Sequence, residues 1–153
     1  MNSWGLRIAL WVFTIIILIQ VFPGKRPDVT LVNPNDIHQE ILIDAQVSQI
    51  LKSACYDCHS NESRYPWYTD IVPVSWLIIH DINEGRSELN FSEWLNYSVK
   101  RKAHKLEEIV EVVESGEMPM KAYTILHAEA RLTDEQINLI TKWAKSTSGR
   151  YLE

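Results

Sequence analysis

The sequence predicts an all-α fold, in which a small helical domain follows one N-terminal transmembrane helix. From residue 44 onward, apolar residues recur at intervals of three and four, the spacing of one helix face. No stretch of useful length alternates apolar and polar residues as a half-buried strand does. The chain also begins with an almost uninterrupted apolar segment, and its 153 residues suffice for one domain with an appendage.

The N-terminal segment is predicted to be a membrane anchor over residues 1–23. From Ile8 to Phe22 it reads IALWVFTIIILIQVF, and with Leu6 and Arg7 it gives 17 residues, at the short end of what crosses a bilayer. A cleaved signal peptide is the main alternative, but no small-x-small cleavage site follows. A buried core helix is a third interpretation, which the lack of a polar face disfavours.

Proline, glycine and asparagine punctuate residues 24–43, which are therefore predicted to be a tether. The pattern changes at Asp44, the predicted N-cap of a helix that continues to Cys55. This residue opens a predicted domain over residues 44–147, and residues 148–153 form a C-terminal tail.

Three more helices are predicted within that domain. One covers residues 74–88, and a second begins at Ser92 and ends at Gly116, because glycine is favoured just beyond a helix end. The third opens at Thr133, where the run TDEQ is a capping box.

Composition excludes several classes of protein. The net charge of −5 is mildly acidic and mixed along the chain, so no nucleic-acid partner is expected. The chain has two cysteines, Cys55 and Cys58, too few for a disulfide framework or a four-sulfur zinc site.

Both cysteines belong to the run CYDCH at residues 55–59, the attachment signature for a c-type haem. Two thiols three residues apart reach the two vinyl groups on one porphyrin edge, and the adjacent His59 ligates the iron. The motif therefore predicts one covalently bound haem c. A thioredoxin-like pair, a zinc site, and a simple disulfide or chance occurrence are the alternatives. The first needs neighbouring strands and the second needs a fourth ligand.

The stretch from Asp44 to Lys145 resembles the bacterial haem-binding domain family of membrane-anchored, single-haem, cytochrome-c-like proteins. The similarity extends past CYDCH to RYPWY at 64–68, PVSW at 73–76, NEGR at 83–86, LNFS at 89–92 and GEMP at 116–119. The resemblance implies haem binding within a small cytochrome-c-like helical domain. It also implies a single-pass protein of the bacterial inner (cytoplasmic) membrane with its haem domain on the periplasmic side, since such proteins receive haem outside that membrane. The numbers of basic residues on the two sides of the N-terminal apolar segment are nearly equal, so charge alone does not predict its orientation.

Met118 is the predicted second axial ligand of the iron. It precedes Pro119, which favours an extended backbone, and a thioether in this position raises the reduction potential. The alternatives are His80, on the apolar face of its predicted helix, and Met120, which departs from the family pattern.

Two residues of the RYPWY run, Arg64 and Trp67, are candidates for packing against the haem or binding its propionates. Packing within their own loop is the other interpretation. The basic run at residues 100–105 is predicted to be a solvated helix face, with a docking patch for anionic lipid or an acidic partner as the alternative.

The predicted function is that of a membrane-anchored, extracytoplasmic, mono-haem c-type cytochrome. It would transfer single electrons to an extracytoplasmic redox partner protein and contact membrane lipid through its anchor. The alternative is a haem-based sensor or peroxidase-like protein with an open distal site. No acid–base or nucleophile constellation stands out, which favours an electron carrier over an enzyme.

Overall fold

The computed structural model describes residues 3–152. This range contains seven α-helices, four short 3-10 helices and no β-strand, which confirms the predicted all-α class. The α-helices are α1 (Ser3–Ile19), α2 (Ala45–Ala54), α3 (Tyr56–His59), α4 (Val74–Glu88), α5 (Val99–Glu114), α6 (Lys121–Leu126) and α7 (Asp134–Leu152).

Local capping signals set several of these boundaries. The Asp44 carboxylate accepts a hydrogen bond from the backbone N–H of Gln46 at 2.8 Å and so caps α2 as predicted. At the start of α7, Thr133 Oγ1 accepts from the Gln136 N–H at 3.3 Å. Gln136 Oε1 in turn accepts from the Thr133 N–H at 2.9 Å, which completes the predicted capping box.

The helix predicted from Ser92 to Gly116 is in fact two elements. Phe91–Asn96 forms a 3-10 helix, in which Glu93 departs from helical geometry, and Tyr97 is extended. The extended Ser98 then caps α5 by accepting from the Arg101 N–H, so the α-helix begins at Val99. Apolar periodicity alone does not detect this interruption, because buried side chains continue on both sides of it.

The predicted membrane anchor is wrong: within residues 3–152, no helix is both long and apolar enough to cross a membrane. Helix α1 has 17 residues and measures about 25 Å, whereas a bilayer core is about 30 Å thick. The helix ends at Ile19 because Gln20 turns to the domain, where its side chain both donates to Val72 O and accepts from Val72 N. The single-pass localisation in the bacterial inner membrane, which the family resemblance implied and which needs such a helix, is contradicted by the same finding.

Residues 24–43, the predicted tether, run along the helical domain. Ile37 is fully buried in a 3-10 helix (Ile37–Gln39), and the Thr30 N–H donates to Asn61 O at 2.8 Å. The buried Asp36 accepts hydrogen bonds from the Tyr56 hydroxyl at 3.1 and 3.2 Å. These contacts attach the segment to the helix that carries the CYDCH motif.

The hydrophobic core lies where α2, α5 and α7 meet the 3-10 helix Phe91–Asn96. Helices α5 and α7 pack along each other, and α2 contacts α7. The largest fully buried side chains are Trp94, Phe91, Ile37, Leu51, Leu106 and Ile140. This core forms one wall of the cavity beside Cys55, Cys58 and His59, because Leu51 and Phe91 belong to both the core and the cavity lining.

Truncation of Leu106 to alanine should lower the free energy of unfolding by about 2–5 kcal/mol, because the side chain is fully buried and leaves a cavity. Leu126→Ala is the matched control, since that leucine is 63% exposed and its loss should cost about 0.5 kcal/mol or less. Urea denaturation measures both values. Equal losses in the two variants would contradict this placement of the core.

Candidate functional site

One turn of helix presents the three residues of the attachment motif on one face. Cys55 closes α2, and the single turn of α3 follows directly, with the His59 N–H donating to Cys55 O at 2.9 Å. Residues separated by three and four positions share a helix face. Cys55, Cys58 and His59 accordingly line the same cavity.

This cavity has a volume of about 600 Å³, within the range of roughly 300–1,000 Å³ that small-molecule and cofactor sites occupy. It lies between the motif, α4, α5 and the loop that follows α5. Apolar side chains form much of its wall: Leu51, Leu89, Phe91, Ile109, Val112 and Val113. Such a lining suits a large flat apolar ligand.

The His59 imidazole is held in the tautomer that a metal requires. Its Nδ1 lies 2.9 Å from Gly85 O and 3.0 Å from Leu89 O, and since both oxygens accept only, Nδ1 carries the proton and donates. Nε2 is then unprotonated and free to donate its lone pair. Burial lowers the pKa of His59, which keeps the ring neutral even though the two backbone hydrogen bonds oppose this shift.

Gly85 makes this arrangement possible, because it lets α4 approach the motif closely. A Cβ at this position would lie 2.8 Å from Cys58 O and 3.2 Å from Cys58 Cβ. No function was predicted for Gly85 from the sequence. A glycine inside a helix is nevertheless a signal of close backbone approach.

The two cysteines are half-buried, and their thiols are held in the protonated form. Burial raises the pKa of Cys55 to about 12 and that of Cys58 to about 11. Redox-active cysteines have lowered pKa values, and a thioredoxin-like setting also needs strands, which residues 3–152 do not contain. In the same range, no three His, Cys, Asp or Glu side chains group as a metal site would require. The zinc and thioredoxin alternatives therefore gain no structural support.

Both candidate methionines lie in the cavity wall, on the loop between α5 and α6. Gly116, at φ 73°, turns the chain after α5, and the Met118 N–H then donates to Val112 O at 2.9 Å. Met120 is the N-cap of α6. His80 is placed elsewhere: its side chain is 69% exposed and lies 3.7 Å from the Glu84 carboxylate.

Charged residues surround the cavity unevenly. Six carboxylates line it: Asp81, Glu84, Glu88, Glu108, Glu111 and Glu117. The cation in the lining is Lys105, which is mostly buried and lies 2.6 Å from Glu108 and 3.5 Å from Glu88. Sequence analysis placed Lys105 in a solvated basic run, because its approach to α4 depends on the packing of two helices.

Arg64 and Trp67 lie outside the cavity lining. The Arg64 guanidinium binds the Asp57 carboxylate through Nε at 3.0 Å and Nη2 at 3.1 Å. These hydrogen bonds raise the pKa of Arg64. Trp67 is 75% exposed. Tyr123, which sequence analysis did not single out, lines the cavity instead and donates to Asp57 Oδ2 at 2.7 Å.

The residues present fit a haem. One wall of the cavity offers two thiols and an imidazole with a free Nε2, and the loop after α5 offers a thioether. Lys105 supplies the cation of the lining, and the apolar wall suits the porphyrin. All these groups belong to described residues of one chain.

A family model described as a haem-binding domain matches residues 14–146. Comparisons with curated proteins and with solved structures found no match.

Proposed function

The chain belongs to the haem-binding domain family, and on this premise we propose that it is a mono-haem c-type cytochrome that transfers one electron at a time to a redox partner protein. The observation that carries the proposal is the convergence of Cys55, Cys58, His59 and Met118 on one cavity of about 600 Å³. We further propose residues 44–147 as the unit that holds the haem.

Covalent attachment is the role proposed for the two cysteines. Cys55 and Cys58 would hold the haem through thioether bonds to its two vinyl groups. The single turn of α3 spaces the two sulfurs for this. Because the domain is small, a covalently held cofactor adds permanently to its core.

His59 and Met118 are the residues that would ligate the iron. Gly85 O and Leu89 O orient the His59 ring through Nδ1 and so direct Nε2 to the metal. The bound haem supplies an iron that alternates between the ferric and ferrous states. A thioether stabilises the ferrous state, and the apolar wall limits water, so both favour reversible one-electron transfer.

Lys105 is proposed to orient one haem propionate. It is held among Glu88 and Glu108, where it balances part of the local negative charge. The six carboxylates around the cavity oppose binding of an acidic partner, so the redox partner is expected to present a basic face.

Exchange of Met118 for leucine should remove the sixth ligand and leave the covalent haem in place. The potential should fall by a fraction of the roughly 0.8 V span that axial ligands control. Carbon monoxide should then bind readily. Met120→Leu is the matched control and should change neither property, since both substitutions conserve volume.

Optical spectra of the oxidised and reduced holoproteins and a potentiometric titration measure these effects. If Met118→Leu leaves both unchanged and Met120→Leu alters them, the ligand is Met120. If neither substitution has an effect and wild type already binds carbon monoxide, the distal position is open. The sensor or peroxidase-like function then replaces electron transfer.

A further inference from the structure

A continuous chain of four aromatic side chains connects the cavity with the protein surface. Tyr123 lines the cavity, and its ring stacks on His127 with centroids 4.1 Å apart and planes at 14°. His127 Nε2 lies 2.5 Å from the Tyr68 hydroxyl. Tyr68 meets Trp67 edge to face at 5.9 Å, and Trp67 is 75% exposed. Each ring therefore contacts the next, from the cavity wall to solvent.

Hydrogen bonds fix the geometry of this chain. His127 Nδ1 donates to Glu129 Oε1 at 3.3 Å, which leaves Nε2 as the acceptor for the Tyr68 hydroxyl. At the inner end, Tyr123 donates to Asp57 Oδ2 at 2.7 Å. Burial and the neighbouring carboxylate raise the pKa of Tyr123, so it remains a phenol.

These residue types suit electron passage. Tyrosine and tryptophan lose a single electron more readily than most side chains, and electron exchange weakens steeply with distance between groups. Rings in contact are therefore more effective than isolated ones. Here the outermost ring is also the most exposed, so electrons from a dissolved donor have an entry point.

We propose that Trp67, Tyr68, His127 and Tyr123 form a route by which electrons from the surface reduce an over-oxidised haem. The inference rests on the haem binding of the proposed function, because the haem in the cavity is the acceptor, and it requires that hydrogen peroxide displace Met118 from the iron. In this route, Trp67 accepts electrons at the protein surface, and Tyr123 is the last residue before the cavity. The reductant is a small one-electron donor in solution, such as a phenol or ascorbate.

Electrons and protons balance along this route when hydrogen peroxide is the oxidant. One peroxide takes up two electrons and two protons and leaves as two waters. Trp67 supplies the electrons one at a time and releases its indole proton to solvent each time. Tyr68 and Tyr123 are oxidised and reduced in turn, and their protons shift along the hydrogen bonds to His127 and Asp57 and return. The dissolved donor then restores Trp67 with one electron and one proton.

The test maps where oxidation appears when no donor is supplied. Haem-loaded protein is treated with hydrogen peroxide in air, and peptide mass spectrometry quantifies oxygen gained at each tryptophan, since an unrepaired Trp67 radical captures dioxygen. Trp4 is the internal control, because it is also 75% exposed but lies in α1, off the route. We expect Trp67 to gain oxygen severalfold more than Trp4.

Conservative variants test the route itself. Tyr68→Phe and Tyr123→Phe should each reduce the excess at Trp67 to the level of Trp4. Tyr65→Phe is the matched control: it lies in the same loop, its hydroxyl donates to Pro27 O at 3.0 Å, and it should keep the excess. Near-UV circular dichroism confirms that each variant is folded.

The possible results distinguish a failure of the aromatic route from a failure of the proposed function. A haem stain on a denaturing gel establishes whether haem is attached, independently of where oxidation occurs. Attached haem with equal oxidation of Trp67 and Trp4 overturns the route and leaves the proposed function standing. Protein without haem overturns both. Excess at Trp67 that survives both Tyr68→Phe and Tyr123→Phe also overturns the route.

Discussion

Replacement of Gly85 by alanine is expected to destabilise the protein and to impair haem retention, although alanine is the better helix former. The added Cβ would lie 2.8 Å from the carbonyl oxygen of Cys58, so α4 must move away from the motif. Overpacking of this kind costs about 1–3 kcal/mol. The same movement withdraws Gly85 O from His59 Nδ1 and releases the imidazole.

Gly149→Ala is the matched control for this substitution. Gly149 also lies inside a helix, α7, but no atom approaches the added Cβ within 4 Å. This change should stabilise the protein by about 0.5–1 kcal/mol. Urea denaturation and the visible spectrum of the holoprotein measure both variants. If Gly85→Ala proves as stable as Gly149→Ala and keeps its spectrum, the close contact between α4 and the motif does not exist.

Removal of the His59 side chain is expected to abolish the six-coordinate iron spectrum. His59→Ala takes away the proposed proximal ligand and leaves a space that free imidazole can enter. Added imidazole should therefore restore much of the spectrum while the thioethers persist. The measurement is an optical titration of the variant holoprotein with imidazole.

His80→Ala is the control for the loss of a histidine. His80 is largely exposed and lies near Glu84, so its removal should leave the spectrum of the iron unchanged. An altered spectrum in His80→Ala, with none in His59→Ala, would reverse the ligand assignment. It would also require a different position for α4 relative to the haem.

Features of the fold that depend on local signals could be predicted from the sequence. Asp44 and Thr133 cap the helices they were predicted to cap, because the bonds they make reach only two or three residues along the chain. The α-helix at Val74–Glu88 has the bounds that were predicted for it. The spacing within CYDCH likewise predicts that both cysteines and His59 share one face.

The features that could not be predicted from the sequence depend on contacts between segments far apart in the chain. The approach of Gly85 to Cys58, of Lys105 to Glu88, and of Tyr123 to Asp57 follows from how helices pack. The predicted anchor failed for a similar reason. Apolar character continues past Ile19, but the bonds between Gln20 and Val72 end the helix there.

Cys55 and Cys58 are proposed to hold one haem covalently in the cavity. Intact mass spectrometry under denaturing conditions tests this attachment most directly, on protein produced together with machinery that attaches haem to such motifs. Wild type should carry the added mass of one haem, Cys55→Ala and Cys58→Ala should each keep a single-thioether adduct, and the double variant should carry none. A wild-type mass equal to that of the bare polypeptide, with haem recovered in the solvent, would contradict covalent attachment.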